Sequence, residues 1–437
     1  MKIDITPIDI AQVHTIISNL NHLPGFIWLD SSDKSQANNR WSIIGFNPLK
    51  QATTWSQWQE IAHYLDNQTP SKTRTVEAPF YTGILGFLSY EAASNWMPKS
   101  LFKLNSTFPQ CYGGLYHQII LINHHNNHAY YCQSHYPDYP PPQSLDQILY
   151  DISKNAPIKR ESKQWGKASI TQISKDDYIQ KIITAKHHIF EGDCYQLNLS
   201  HQFKTPLSKP PFDLYLQLRE NCPIPYAAYI NTGDHHILSA SPETLFKTDG
   251  KSITTRPIKG TIKRGDTPAQ DSDNKTQLQR SEKDQAELMM ITDLERNDLG
   301  KLCVFGTVTV PELKTLETYP NVHHLVSTIT GALRPNISLT DILQALFPGG
   351  SITGAPKKRA MEIINQLEPT PRNIYTGSIG YYDITKKSEF NIAIRTMYTI
   401  GDTLYCHSGG GITADSIPQD EWDETLTKAS ALLKTIQ

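Results

Sequence analysis

Apolar residues along the chain follow two periods. In some segments they recur every three or four residues, and in others they alternate or run unbroken over short stretches. The helical period is clearest after residue 170. Tyr178, Ile179, Ile182, Ile183, Ile189 and Phe190 fall at helical spacing, Ser174 and Asp177 read as an N-terminal capping box, and Gly192 reads as the stop. A second helix is predicted over 281–296. A third is predicted over 418–435, where Trp422, Leu426, Ala429, Leu433 and Ile436 form one stripe. Strand-like segments lie at 114–123, 128–132, 226–231, 377–383, 390–398 and 403–408. Helices and strands mix without a regular alternation, so the pattern favours α+β over a doubly wound parallel sheet.

The clearest break is YPDYPPPQS at 136–144, where four prolines in nine residues rule out helix interior and central strand. A polar stretch at 154–167 follows. Together they place a loose boundary near 165, between a strand-rich region 1–165 and a region 166–437.

Composition changes this picture little. Of 437 residues, 38% are hydrophobic and 19% charged, the balance of a globular chain. A formal net charge of −2 gives no electrostatic reason to expect nucleic acid as a partner. The six cysteines, Cys111, Cys132, Cys194, Cys222, Cys303 and Cys406, form no CxxC pair, which fits a reduced cytoplasmic protein. The N-terminal MKIDITPIDIAQ has no apolar signal core, and no apolar run approaches the roughly 20 residues that cross a bilayer, so no membrane partner is expected.

Candidate chemistry begins with two acidic helix faces. Asp284 and Glu287 lie three apart on one predicted helix, and Glu421 and Glu424 three apart on another, with Lys428 a turn beyond. Either pair alone is most simply a solvated face, and spacing does not show that the helices meet. If they do meet across a cleft, four carboxylates repel one another until a cation neutralises them, and a shell of oxygens suits Mg²⁺. Two glycine-rich segments add candidate anion sites. FPGGSITGAP (347–356) precedes Lys357, Lys358, Arg359 and a predicted helix start, without the Gly-Lys-Ser/Thr of a P-loop. HSGGGIT (407–413) follows a strand, and Gly409, Gly410 and Gly411 would let backbone N–H groups approach a carboxylate. An ordinary tight turn explains either segment taken alone.

Ten segments in one order make a resemblance specific. They are GDCYQLN (192–198), SPETLF (241–246), RPIKGT (256–261), KDQAELMMITDLERNDLG (283–300), HHLVS (323–327), FPGGSITGAPKKRAM (347–361), YTGSIGYY (375–382), IAIRT (392–396), SGGGI (408–412) and PQDEWDETLTKA (418–429). With them the chain resembles the chorismate-utilising enzymes, a family that includes anthranilate, aminodeoxychorismate, isochorismate and salicylate synthases. The likeness covers roughly 170–435 and continues more faintly through WLDSS (28–32) and YTGILGFLSYE (81–91). It implies a sandwich of two large antiparallel β-sheets with helices outside, which residues 1–165 would complete. It implies Mg²⁺ as cofactor, bound directly by Glu287 and Glu424 and through water by Asp284 and Glu421. The family usually has Glu at the position of Asp284, one methylene longer. Chorismate is the implied substrate. Its ring carboxylate would complete the metal shell, while Tyr375, Arg395, Lys428 and the backbone of Gly409, Gly410 and Gly411 would receive carboxylate oxygens, Arg395 through its planar fork. The stretch Leu29–Ser32, with Asp30 and Ser31 the residues of interest, resembles a pocket that holds tryptophan in family members, and reads equally as a strand-end turn.

Two residues bear on the branch of the family. Lys259, in RPIKGT, stands where anthranilate and isochorismate synthases typically have alanine and where aminodeoxychorismate synthases typically have lysine. Gln196 stands where the water-adding members place a lysine base, which disfavours isochorismate and salicylate formation. The resemblance thus implies amination of chorismate at C4. Lys259 would attack C2 as a neutral amine, Glu243 would protonate the departing C4 hydroxyl, His324 would sit near the ring, and Thr261 would belong to the same catalytic group. A free lysine is neutral in only about one molecule in a thousand near pH 7.4, so its surroundings must lower its pKa by roughly two to three units. A glutaminase elbow needs Gly-x-Cys-x-Gly. Cys194 comes nearest but is followed by Tyr195 and Gln196, so the expected nitrogen source is ammonia from a separate glutaminase subunit, the expected heterodimer partner. Three rival readings stand beside this one. Anthranilate synthase component I differs mainly at Lys259. A chorismate-binding protein with little activity would not need Glu243, His324 and four acids. A metal or nucleotide protein built on His124, His125 and His128 would place its site in a predicted hairpin turn.

Overall fold

Short runs of β-branched and aromatic residues between proline and glycine turns favour sheets over bundles. The computed structural model describes residues 1–31, 41–70, 76–154, 168–319 and 322–436. The polar stretch around the boundary near 165 lies outside the described residues, as does Ser32. Among those described, eleven strands form one sheet and ten a second, and every pairing is antiparallel. This is the α+β arrangement of two large sheets expected from the resemblance.

Both halves of the chain contribute to both sheets. In the first sheet Phe26–Asp30 pairs with Tyr226–Asn231, Trp28 opposite Tyr229. In the second, Gly83–Leu88 pairs with Ser378–Asp383, Gly86 opposite Gly380. The layer between the sheets is apolar, with Phe87, Ile230, Ile237, Ile379 and Tyr398 buried there. Helices cover the outer face of the first sheet. Lys175–Phe190, Lys357–Leu367 and Pro418–Ile436 pack on Gln196–Pro206 and Thr403–Ile412, burying Tyr178, Ile182, Ile363 and Trp422 against Leu197, Leu199 and Ile412.

Several expectations need correction. The segment 114–123 is two strands, Cys111–Tyr116 in the second sheet and Gln118–Asn123 in the first, because the chain changes sheet at His117. The segment 390–398 breaks likewise between Ser388–Asn391 and Thr396–Ile400. Unbroken apolar sequence conceals such crossings, since both strands face the same core. Helix Lys175–Phe190 is capped by Ser174, but Asp177 bonds the Ser174 hydroxyl, and Ile183 and Phe190 of the expected stripe are exposed. The glycines of 407–413 do not form a loop. They lie inside the strand Thr403–Ile412, with Gly409, Gly410 and Gly411 opposite Ser200, Leu199 and Asn198.

Candidate active site

Strand alternation divides this region into two faces. Along Thr403–Ile412 the even positions meet the helix Pro418–Ile436. Ser408 Oγ donates to Thr425 O at 2.7 Å, and a side chain on Gly410 would come 3.1 Å from Glu421 Oε2 and 3.7 Å from Glu424 Oε1. The odd positions face the sandwich interior. His407 stacks on Tyr375 with centroids 5.2 Å apart, and a Cβ on Gly411 would lie 2.0 Å from Gln196 Nε2 and 3.6 Å from Lys259 Nζ. A strand stripped of side chains therefore runs between the acidic helix and Lys259, and any residue larger than glycine at 411 would displace the Gln196 amide.

Lys259 reaches this space from a β-bulge. Strand Ile258–Lys263 pairs with Val322–Ala332 but slips register between Lys259 and Thr261. Gly260, at φ +69°, absorbs the slip, a conformation L side chains rarely adopt. Its absent Cβ also leaves room for Asp284, whose Cβ and Cγ would stand 3.0 and 3.1 Å away. The Lys259 ammonium donates to Ser351 O at 3.4 Å. Thr261 hydrogen-bonds His324 Nδ1 at 2.8 Å, and Tyr319 packs edge-on against the His324 ring. Burial, aided by Arg395, pushes His324 down to about 4, so at neutral pH its ring is an uncharged hydrogen-bonding group.

Glu243 and Arg395 both sit where the chain passes from one sheet to the other. Glu243 lies between His236–Ser241 and Thr244–Thr248, and Arg395, at φ +50°, immediately precedes Thr396–Ile400. Burial raises the Glu243 carboxyl against the opposing influence of Ser351, Lys259 and Lys428, and its Oε1 has no hydrogen bond among the described residues. Arg395 has no carboxylate partner among them, which leaves its guanidinium available to an anion.

The two acidic helix faces do meet. Lys283, on the helix Glu282–Gly300, feels Glu421, Glu287, Glu424 and Asp284 together; burial lowers its pKa and these four raise it to a net increase. Burial pushes Glu287 up, opposed by Lys259 and Lys283. Glu424 is pushed up by desolvation but ends below its ordinary value, chiefly through Lys428, whose ammonium lies 2.5 Å away. Glu421 accepts from Ser416 Oγ at 2.6 Å and lies 3.6 Å from Lys283. As the side chains stand, no three acidic or other ligating groups among the described residues enclose one point at metal-ligand distance, and Lys283 and Lys428 carry the balancing charge. Lys428 also donates to Gly409 O at 3.3 Å. The donor set is still all carboxylate, and the missing side chain of Gly410 leaves open space beside two of the four, so these residues fit a hard divalent cation.

Other candidates fall elsewhere. Lys357 and Arg359 hold carboxylates of the chain itself, Asp298 at 2.7 Å and Asp193 at 2.9 Å, so the helix start after 356 is already neutralised. His124 lies in the turn between Gln118–Asn123 and His128–His135 and bonds Ser42 Oγ at 2.7 Å. Leu29, Asp30 and Ser31 line a separate cavity with Pro79, Pro225 and Tyr381. Asp30 is already taken up there by Ser42, Tyr215 and Arg219. Sequence reading passed over Lys283 and Ser351. Lys283 stands four residues before Glu287 on one helix face, which was a usable signal; the Ser351 carbonyl had none.

The chain belongs to the chorismate binding enzymes, a family whose model matches residues 24–434. It is 34% identical to aminodeoxychorismate synthase component 1 of Escherichia coli K12, over 96% of this chain and 95% of that one. It is 38% identical to the protein of the same name from Bacillus subtilis 168, over 92% and 91%. Among solved structures, anthranilate synthase component I from Streptococcus pneumoniae superposes with a TM-score of 0.78 at 29% identity, covering 91% of this chain and 92% of that one. Among the described residues no helix is long and apolar enough to cross a membrane.

Proposed function

We propose that this chain aminates chorismate at C4, giving 4-amino-4-deoxychorismate on the cytoplasmic route to para-aminobenzoate and folate, with ammonia supplied by a separate glutaminase subunit. The observation that carries the reading is Lys259. A bulge presents its amine beside Gln196 and Gly411, in reach of the influence of the buried Glu243. The names of the E. coli and B. subtilis relatives support the same branch.

In this reading Arg395, Tyr375 and the glycine strand hold the substrate carboxylates. Lys259 nitrogen forms a bond to C2, both double bonds of the ring diene shift toward C4, and the C4–O bond breaks as the Glu243 proton passes to the departing oxygen, releasing water. Ammonia then bonds to C4, both double bonds shift back, and Lys259 leaves as the amine. The proton shed by the incoming nitrogen restores Glu243. Two allylic substitutions replace one difficult displacement. Mg²⁺ held by Glu287 and Glu424, with Asp284 and Glu421 behind them, would supply charge for the ring carboxylate and offset the crowded acids. Neutral His324, tied to Thr261, is suited to accept or donate one hydrogen bond at the ring.

The deciding experiment is product identification with pure protein, chorismate, Mg²⁺ and an ammonium salt near pH 8.5. Aminodeoxychorismate, turned to para-aminobenzoate only when a lyase is added, is the expected outcome. Anthranilate with pyruvate would transfer the protein to the anthranilate synthases, the reading that the S. pneumoniae likeness favours. By the same resemblance the cavity at Leu29, Asp30 and Ser31 is proposed to take tryptophan, with its ammonium held by groups other than the fully engaged Asp30. Equilibrium dialysis with labelled tryptophan that finds no binding at millimolar concentration would remove that assignment.

A further inference from the structure

A buried arginine ties three pieces of the site together. Arg372 is 2% exposed and lies between the helix Lys357–Leu367 and the strand Ser378–Asp383. Its guanidinium forks onto Glu368, Nε to Oε2 at 2.8 Å and Nη2 to Oε1 at 2.7 Å. Glu368 Oε1 also accepts from the Ser200 N–H and the Ser200 hydroxyl, both at 2.8 Å. The ion pair is therefore anchored to the strand Gln196–Pro206.

The other donors go to the walls of the site. Nη2 donates to Asn198 O at 2.7 Å, and Asn198 stands opposite Gly411. Nη1 donates to Ile352 O at 3.0 Å, one peptide beyond the Ser351 carbonyl that receives Lys259. Nη1 also donates to Thr376 Oγ1 at 3.2 Å. Thr376 follows Tyr375, whose ring centroid lies 5.6 Å from the guanidinium carbon and whose N–H donates to Arg372 O at 3.0 Å. A guanidinium has five N–H donors in one plane, and these bonds use all of them, so none is left for a substrate anion. From the first region of the chain, Glu91 accepts from the Arg372 N–H at 2.9 Å and the Tyr90 ring lies 4.9 Å from the guanidinium carbon.

A buried ion pair adds little net stability over a well-packed apolar replacement, so stability gives no reason for a charge here. A rigid planar fork supplies something an apolar chain does not, which is a fixed distance and direction to several backbone segments at once. We propose that Arg372 is a positioning residue for the site: its fully occupied guanidinium fixes the Asn198 strand, the Ser351 turn and the Tyr375 segment relative to one another. The proposal rests on the reading that Tyr375, the glycine strand and Lys259 serve chorismate. In that reading Arg372 touches neither substrate nor the reacting atoms. It sets the frame in which Tyr375 and Gly411 meet the substrate while Ser351 O holds the Lys259 amine.

The test uses R372K, which keeps a cation for Glu368 but gathers its donors on one atom that cannot span the three outer acceptors. Equilibrium dialysis of labelled chorismate with Mg²⁺ and no ammonium, well below the melting temperature of the variant, should show binding weakened by about tenfold or more. In steady state the KM for chorismate should rise by a similar factor and kcat should fall, while the KM for ammonia stays within about twofold. A generally loosened core would move both KM values together. E368D serves if R372K does not fold: it keeps both charges but draws the carboxylate back by one methylene, and the same split is expected at smaller size. Chorismate binding equal to wild type in the folded variant overturns the proposal, as does a rise in the ammonia KM that matches the rise for chorismate. A wild-type protein that binds no chorismate defeats the proposed function and this inference with it. Wild-type binding that persists undiminished in R372K defeats this inference alone.

Discussion

Lys259 meets a carbonyl, that of Ser351, as its hydrogen-bond partner, and its amine faces the space over Gly411. If it is the nucleophile, Lys259→Ala should lower C4 amination by at least about a hundredfold, the scale on which removing a covalent catalyst acts. Mass spectrometry of products over hours checks this, and undiminished aminodeoxychorismate would exclude the covalent route. Treatment with EDTA should likewise abolish turnover, with Mg²⁺ restoring it. A second residue-scale prediction concerns pH. Burial holds His117, His201 and His324 down to about 4 and His407 to about 3. Below about pH 6.5 the unfolded chain binds those protons and the folded chain does not, so stability falls as pH drops from there toward 4. Burial pushes Glu91 and Glu295 up to about 8. Between about 4.5 and 8 the folded chain keeps protons that the unfolded chain has lost, so these two make stability fall as pH rises. Above about pH 6.5 the four histidines are neutral in both states, so the raised carboxyls set the slope there. Urea denaturation should therefore show stability falling from pH 6.5 to 8, by on the order of 2–3 kcal/mol per pH unit for the two groups near 8. Continued gain in stability up to pH 8 would contradict this assignment. Residue identities made the Lys259, Glu243 and carboxylate candidates visible in the sequence. Glu295 was not, because only the fold buries it, beside Thr255 40 residues earlier.

The elements show where local pattern carries information and where it does not. The carboxylate helices were readable, since spacing of three and an opposite apolar stripe fix a face. Their meeting was not, because it depends on how two helices sit on different strands. The glycine run 409–411 misled for a definite reason. Three glycines suggest a loop, yet here a strand omits side chains because Glu421 and Glu424 crowd one face and Gln196 the other. Gly411→Ala should therefore cost about 1–3 kcal/mol by overpacking and raise the KM for chorismate more than it lowers kcat. Adding Gln196→Ala should recover much of the stability, because the clash is with that amide. Equal destabilisation in the single and double variants, read by thermal melting, would show that the Gln196 contact is not the cause. The bulge at Gly260 is also specific: alanine there must adopt φ +69° and press on Asp284, so Gly260→Ala should weaken activity by shifting Lys259.

Across the whole molecule, sheet membership ignores sequence proximity. Strands from before residue 165 pair with strands after residue 225 in one sheet and after residue 377 in the other. A fragment covering 168–437 would expose the Tyr226–Asn231 and Ser378–Asp383 edges together with Ile230, Ile379 and Phe390 of the core. It should fail to give a cooperative unfolding transition and should aggregate. A soluble fragment with a sharp melt would show that the second region is an independent domain. The fold class was legible in the order of motifs, but the interleaving was not, since a strand's own residues do not name its partner.

The strand Thr403–Ile412 lies between Thr396–Ile400 and Gln196–Pro206, so the first sheet stays divided until residue 412 exists. A ribosome adding roughly 5–20 residues per second takes about 10–40 s to pass from Pro206 to Ile412. Throughout that interval Gln196–Pro206 has completed synthesis with an unfilled edge and an uncovered apolar face. The two parts of the first sheet, and the site between them, therefore come together only once Thr403–Ile412 has been made.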